Sequence, residues 1–115
     1  MASDMREPTF WVLTVLAAGR RHGYALMREA RELSGGRVDL KVATLYAALE
    51  RLGKEGLVAN DGDETVEGRV RRYFRLTDAG AERLAAEVAR LESNAQQAAA
   101  RLRAHPGSRA IGTVS

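Results

Sequence analysis

The sequence predicts a mainly α-helical fold with a small β-hairpin and a long C-terminal helix, and three patterns carry that expectation. Val42, Leu45, Leu49 and Leu52 recur at i, i+3 and i+4 spacing, the stripe of an amphipathic helix turned toward a core. Arg69 to Leu76 alternates instead. Val70, Phe74 and Leu76 fall on one side and Arg69, Arg71, Tyr73 and Arg75 on the other, the period of a half-buried strand. From Ala81 to Leu102, apolar residues step by threes and fours over about three heptads.

The first helix opens near Pro8, a residue suited to position N1, and stops at Gly19, a span of about 8–19. Phe10, Trp11, Val12, Leu13, Val15 and Leu16 make it apolar almost all round, so it must be covered on more than one side. In a chain of 115 residues one side can meet the local core while the other needs a second chain. The second helix runs from Gly23 to Leu33 with Leu26, Met27, Ala30 and Leu33 inward, and Ser34-Gly35-Gly36 ends it. His22, at its start, is expected to bond backbone groups of that turn. Arg37 to Leu40 lead to the third helix, with Val38 and Leu40 suited to a brief extended segment.

Opposite the core stripe of the third helix lie Ala43, Thr44 and Ala47, then Arg51 and Lys54. A face that starts bare and ends basic can lie flat in a groove, as a helix does when its N-terminal part meets base edges in duplex DNA. A core helix with an Ala-rich solvated side is the other reading of this helix alone. Lys41 offers no side-chain oxygen for an N-cap, which leaves Asp39 as the capping candidate. Gly56 is placed to end the helix at C′. Glu67-Gly68 then suits a two-residue hairpin turn, and Asp61-Gly62 a second turn or a bulge in the first strand. With the tip at Glu67-Gly68, Glu64 stands opposite Arg71 and Asp63 near Arg72, so cross-strand pairing competes with nucleic acid for those arginines. Arg69, beside the tip, is the least easily neutralised. A helix followed by a hairpin with a basic second strand is the order of a winged helix.

Thr77 is the expected N-cap of the last helix, with Asp78 in its first turn. The seam Ala81, Leu84, Val88, Leu91, Ala95, Ala98 and Leu102 fits a dimer contact, or one amphipathic helix folded back on its own domain. These elements divide the chain into a winged helix-turn-helix domain (1–77), a C-terminal dimerisation helix (78–103) and a disordered tail (104–115).

At this point the chain resembles the PadR-like transcriptional regulators. The resemblance rests on His22-Gly23-Tyr24, Ala43-Thr44-Leu45-Tyr46, Leu49 and Leu52 with Lys54-Glu55-Gly56-Leu57, Arg72-Tyr73-Phe74-Arg75-Leu76-Thr77, and Ala79-Gly80, in that order from about Pro8 to Leu91. It implies a winged helix-turn-helix domain, a homodimer formed through the N- and C-terminal helices, and repression relieved by a small molecule or another signal. The chain departs from the family pattern where Ala43 and Ala47 replace a glycine and a proline flanking Thr-Leu-Tyr. Lys41 also stands where a small hydroxyl residue is common.

For duplex DNA, Ala43 and Thr44 are the base-edge candidates, since a Thr can bond several bases and small apolar groups touch the thymine methyl. Lys41 and Arg51 suit phosphates on either side of the groove. Tyr46 lies on the flank, for phosphate or for packing, and Tyr24 near the start of the second helix can join a backbone amide in holding a phosphate. Arg69 and Arg71 are the hairpin candidates. Trp11, Val15, Leu84, Val88, Leu91, Ala95 and Leu102 are assigned to the dimer interface. The resemblance also suggests an apolar small-molecule effector lodged against Phe10 and Trp11, for which ordinary core packing is the alternative.

Composition agrees with this reading without forcing it. Lys and Arg outnumber Asp and Glu by 18 to 15, a net charge of only +3, so the distribution of charge matters more than its sum. Cysteine is absent, which removes disulfides and thiolate metal sites and fits a reducing compartment. Met1 to Glu7 is unlike a secretory leader, and the longest apolar run, Phe10 to Ala18, is too short to cross a bilayer. The two histidines lie far apart, Gly35-Gly36 is a turn rather than a phosphate loop, and Ser34 has no nucleophile context. No enzyme, cofactor or metal site is expected. The sequence thus reads as a cytoplasmic homodimeric repressor on a palindromic operator, with a winged-helix protein-interaction module as the alternative.

Overall fold

The structure, a computed structural model, describes residues 5–107. Along them run α1 (Glu7–Ala17), β1 (Arg21–His22), α2 (Gly23–Leu33), α3 (Val42–Lys54), β2 (Val58–Val66), β3 (Arg69–Leu76) and α4 (Asp78–Ala104). The chain forms two compact units, one ending at Leu84 and one beginning at Ala85. The first turns of α4 therefore belong to the hairpin-bearing unit, and the division between the units falls inside the helix, past the boundary expected at residue 77. Most of the expected tail, from residue 108 onward, lies outside the described residues.

The first unit is built around one core. Val12, Leu13, Val15 and Leu16 of α1, Leu26 and Ala30 of α2, and Leu45, Leu49 and Leu52 of α3 meet there, joined by Val38, Leu40, Val58, Phe74 and Leu84. The apolar excess of α1 is thus largely used by its own chain. Val15 and Leu84, expected at a dimer contact, are buried among these residues and present nothing to a second copy. Pro8 is the second helical residue rather than the first, after Arg6 as N-cap, and α1 stops at Ala17, two residues before Gly19.

Local chemistry explains where the next helices begin and end. His22 is the N-cap of α2, its Nδ1 accepting the Ala25 N–H at 3.3 Å, as expected. Gly35 and Gly36 take positive φ, and the Gly36 N–H reaches the Arg31 carbonyl at 2.8 Å, closing α2 with a Schellman turn. Buried Ser34 holds the following loop by accepting the Val38 N–H at 3.0 Å and donating to the Arg31 carbonyl. Val38 and Leu40 plug the core without joining a strand. Lys41, not Asp39, is the N-cap of α3, and it makes no side-chain cap bond. At the other end Gly56 has φ +78 and Leu57 N–H bonds the Leu52 carbonyl, the same closing turn as in α2.

The sheet holds one strand more than the sequence suggests. Its order is β1-β3-β2, all antiparallel, with Arg21 opposite Phe74 and His22 opposite Tyr73. Two residues without alternation carry no strand signal, and β1 exists only because β3 offers a free edge. The hairpin has the expected register: Val66 faces Arg69, Glu64 faces Arg71 and Asp63 faces Arg72. Its tip is Glu67 (φ 52) and Gly68 (φ 79), and the irregularity between Asn60 and Asp63 is a bulge with Gly62 at φ +84. Of the inward side of β3, only Phe74 is fully buried. Val70 is 70% exposed because the outer half of the hairpin projects beyond the core.

Thr77 starts α4 as expected, accepting the Gly80 N–H at 3.0 Å, and its own hydroxyl donates to the Gly56 carbonyl at 2.6 Å. Within the second unit Val88, Leu91 and Leu102 are exposed large apolar residues on the helix. Among the described residues no helix is long and apolar enough to cross a membrane, and no group of His, Cys, Asp and Glu could hold a metal ion.

Candidate nucleic-acid interface

The buried stripe of α3 is Leu45, Leu49 and Leu52, and its opposite face is bare. Lys41, Ala43, Thr44 and Ala47 are exposed. Val42, expected inward, is 59% exposed and extends this small-residue surface by one more apolar group. The error has a simple cause. Val42 is the first helical residue, and the turn that would have covered it is the loop carrying Val38 and Leu40 into the core. Thirteen residues give α3 a length of about 20 Å, enough to lie along a major groove.

Around this face the structure gathers some of the expected partners and separates others. The Tyr46 ring packs edge-on to Phe74 with centroids 6.0 Å apart. Its hydroxyl lies so close to Gly23 that a Cβ there would approach within 2.5 Å. Tyr46 therefore both packs and delivers its hydroxyl to the N-terminus of α2, beside Tyr24, which is 64% exposed. A helix N-terminus that receives a phenol hydroxyl is suited to an anion. Arg28 and Arg31 follow Tyr24 along α2 at i+4 and i+7, and all three line a shared concavity with Asp39 and Leu40. Sequence reading passed over Arg28 and Arg31; the helical spacing from Tyr24 is the signal that marks them.

Arg51 has a partner on α1: its guanidinium donates one N–H to the Thr9 hydroxyl at 3.0 Å, and a guanidinium holds further N–H donors that a phosphate could take. Lys54 sits 3.8 Å from Glu50, an exposed i,i+4 pair of small energetic weight.

On the hairpin, Glu64 and Arg71 are neighbours in register yet not ion partners. Glu64 binds Arg20 of the α1–β1 turn at 2.9 Å, which holds its carboxyl below the ordinary carboxylate range. Arg20 also contacts the Asp61 carboxylate at 3.1 Å and the Asp61 carbonyl at 3.0 Å, and it stacks 3.9 Å above the Tyr73 ring. Arg72 faces Asp63 at 3.6 Å. Arg69 and Arg71 have no carboxylate partner among the described residues, which leaves both cations available at the outer hairpin.

Phe10 and Trp11 are half-buried and meet edge-to-face at 5.0 Å, with the Trp11 indole donating to Glu7 at 3.0 Å. The same Glu7 oxygen takes two bonds from Arg37, and these bonds, with that from Trp11, hold the Glu7 carboxyl below its usual value. A concavity of about 680 Å³ lies instead between α3 and the hairpin, lined by Tyr46, Leu49, Lys54, Val58, Arg72 and Phe74 among others. Ala95 and Leu102 lie on the exposed length of α4.

Comparison with known proteins places this arrangement. The family model described as the transcriptional regulator PadR-like family matches residues 12–86. An uncharacterised protein of Lysinibacillus sphaericus is 29% identical over 69 residues, covering 60% of this chain and 63% of that protein. Among solved structures, a transcriptional regulator from Clostridium thermocellum superposes with a TM-score of 0.64 at 26% identity, over 77% of this chain and 85% of the other. Bacillus subtilis PadR, solved in complex with operator DNA, has a TM-score of 0.64 at 24% identity and covers 73% of this chain; the match spans 48% of that protein.

Proposed function

The chain belongs to the PadR-like family of transcriptional regulators, whose members are not enzymes, and from that premise we propose that it is a sequence-specific DNA-binding repressor. The observation that carries this reading is the N-terminal half of α3. Ala43, Thr44 and Ala47 form an exposed, small-residue face backed by Leu45, Leu49 and Leu52. Ala43 and Thr44 meet base edges, Lys41 holds a flanking phosphate, and Tyr24 with the Tyr46 hydroxyl holds another at the start of α2. Arg69 and Arg71 of the hairpin contact the neighbouring backbone. Bacillus subtilis PadR, which shares this fold, was solved in complex with operator DNA, in keeping with a DNA-binding role for the fold.

Two copies act together in the cytoplasm on an imperfect palindrome, with half-sites about 34–36 Å apart. Val88, Leu91, Ala95 and Leu102 on α4 form the contact between them, together with the half-buried Trp11 side of α1. An apolar effector against Phe10 and Trp11 would favour dimers whose α3 helices no longer match the half-site spacing, a shift of population between binding-competent and incompetent forms.

Selection of duplexes from a random library near physiological salt tests the reading. Enrichment of a two-fold symmetric motif is the expected result. A folded protein that enriches no motif would refute sequence-specific binding by the free protein and favour a protein partner for the Ala43–Thr44 face.

A further inference from the structure

The hairpin from Val58 to Leu76 carries four carboxylates, Asp61, Asp63, Glu64 and Glu67, and four arginines, Arg69, Arg71, Arg72 and Arg75. Taken alone it is electrically neutral and has no reason to approach a phosphate backbone. Its outer half also lacks core support, as the exposure of Val70 shows. Both deficits are met from outside the hairpin, at one residue.

Arg20 lies in the short turn between α1 and β1, 41 and 44 positions before the residues it binds. Its guanidinium reaches the Glu64 carboxylate at 2.9 Å, the Asp61 carboxylate at 3.1 Å and the Asp61 carbonyl at 3.0 Å, while its plane covers Tyr73 on the other strand. Asp61 and Gly62 form the bulge at which β2 loses register with β3. Bulges re-aim a strand, so the side chain grips the hairpin where its direction is set. The neighbouring residues leave Arg20 little freedom. Gly19 turns the chain at φ +141, Arg21 pairs with Phe74 in the sheet and with Glu29 at 2.8 Å, and His22 caps α2.

We propose that Arg20 is the positioning residue of the hairpin: it pins the bend at Asp61-Gly62 and bridges Asp61 and Glu64, cancelling one of their two charges. With Asp63 facing Arg72, the docked hairpin and Arg20 together sum to one net positive charge, and Arg69, Arg71 and Arg75 are the hairpin arginines without a carboxylate partner among the described residues. The hairpin turns net cationic only because it is docked on the helical body. A single exposed ion pair contributes little, but a forked guanidinium that is also stacked on an aromatic ring is a more rigid device, which a lysine does not reproduce. The consequence for DNA rests on the repressor reading above; the pinning itself does not.

The test uses the full chain with Arg20→Gln, Arg20→Lys, and a double variant, Arg20→Gln with Glu64→Gln. Amide exchange of Asp63 to Arg72 is followed in free protein, and affinity for the selected duplex and a random-sequence duplex is followed against salt. In Arg20→Gln, hairpin amides exchange about tenfold faster, binding to both duplexes weakens about tenfold, and the log–log salt slope falls by about one unit. The double variant regains the slope but not the protection, because the parent's net charge is restored while the bend stays unpinned. Arg20→Lys falls between. Unchanged exchange in Arg20→Gln overturns the pinning, and faster exchange with unchanged affinity overturns the role in binding. If the parent binds no duplex at all, the repressor reading fails, and hairpin exchange alone decides whether Arg20 sets the bend.

Discussion

The imidazole of His22 accepts the Ala25 N–H through Nδ1, which requires that nitrogen to be unprotonated. Burial, then the nearby cations Arg71 and Arg28, lower its pKa from the ordinary 6.5. The unfolded chain therefore binds the proton more readily than the folded one. The cap is whole above pH 6.5 and is lost as pH falls through the lower folded value. Urea denaturation at pH 7.5 and at pH 5.5 should show a stability loss of up to about 1 kcal/mol, the weight of one N-cap. His22→Asn keeps an acceptor and should remove most of that difference; an equal loss in the variant would assign the pH dependence elsewhere. The capping role was legible in the sequence from position alone. Its surroundings were not, because Tyr73 and Arg71 arrive from a strand about 50 residues later.

At the scale of elements, the joint between α4 and the hairpin turns on Gly80. A Cβ there would lie 2.1 Å from the Leu57 carbonyl oxygen and 2.7 Å from Leu76 Cδ1. The same carbonyl accepts the Thr77 N–H at 3.1 Å, so it cannot move without releasing the start of the helix. Gly80→Ala gains about 1 kcal/mol of helix propensity and meets backbone it cannot displace. It should be destabilised by a net ~2 kcal/mol. Gly53, the next-to-last residue of α3 with 3.8 Å of clearance to the Val58 carbonyl, is the control. Gly53→Ala should be neutral or stabilising by up to about 1 kcal/mol. Thermal melts of both variants check the pair, and equal behaviour would remove close approach as the reason for Gly80. Helical periodicity identified α2, α3 and α4 correctly, and the turn chemistry of Glu67-Gly68 set the hairpin register. The mistakes at Leu33, Val42 and Val70, all exposed, share one origin. Each lies at the end of an element, where periodicity continues but the neighbour that would cover it does not.

For the whole molecule, the question is what remains for a second copy once the first unit has filled its own core. Val15 and Leu84 are consumed internally, whereas Leu91 is 41% exposed on α4, with Val88 about one turn before it and Leu102 about three turns after it. Leu91→Arg places a charge in that stripe and should yield monomers with weak specific DNA binding. Sedimentation velocity decides the matter, since a variant that remains dimeric moves the interface away from this face. Taken as a string, the residues determined the helix and hairpin order, the capping and turn positions, the bare face of α3 and the resemblance to the PadR-like family. These are local properties, written in spacing and in the conformational limits of single residues. Only the tertiary structure decided which apolar groups α1 keeps for its own core, that a two-residue strand joins the sheet, and that Glu64 answers to Arg20 instead of Arg71. Register brings cross-strand neighbours together, but an ion pair forms where a guanidinium can fork and stack, and that geometry exists only after distant turns have met.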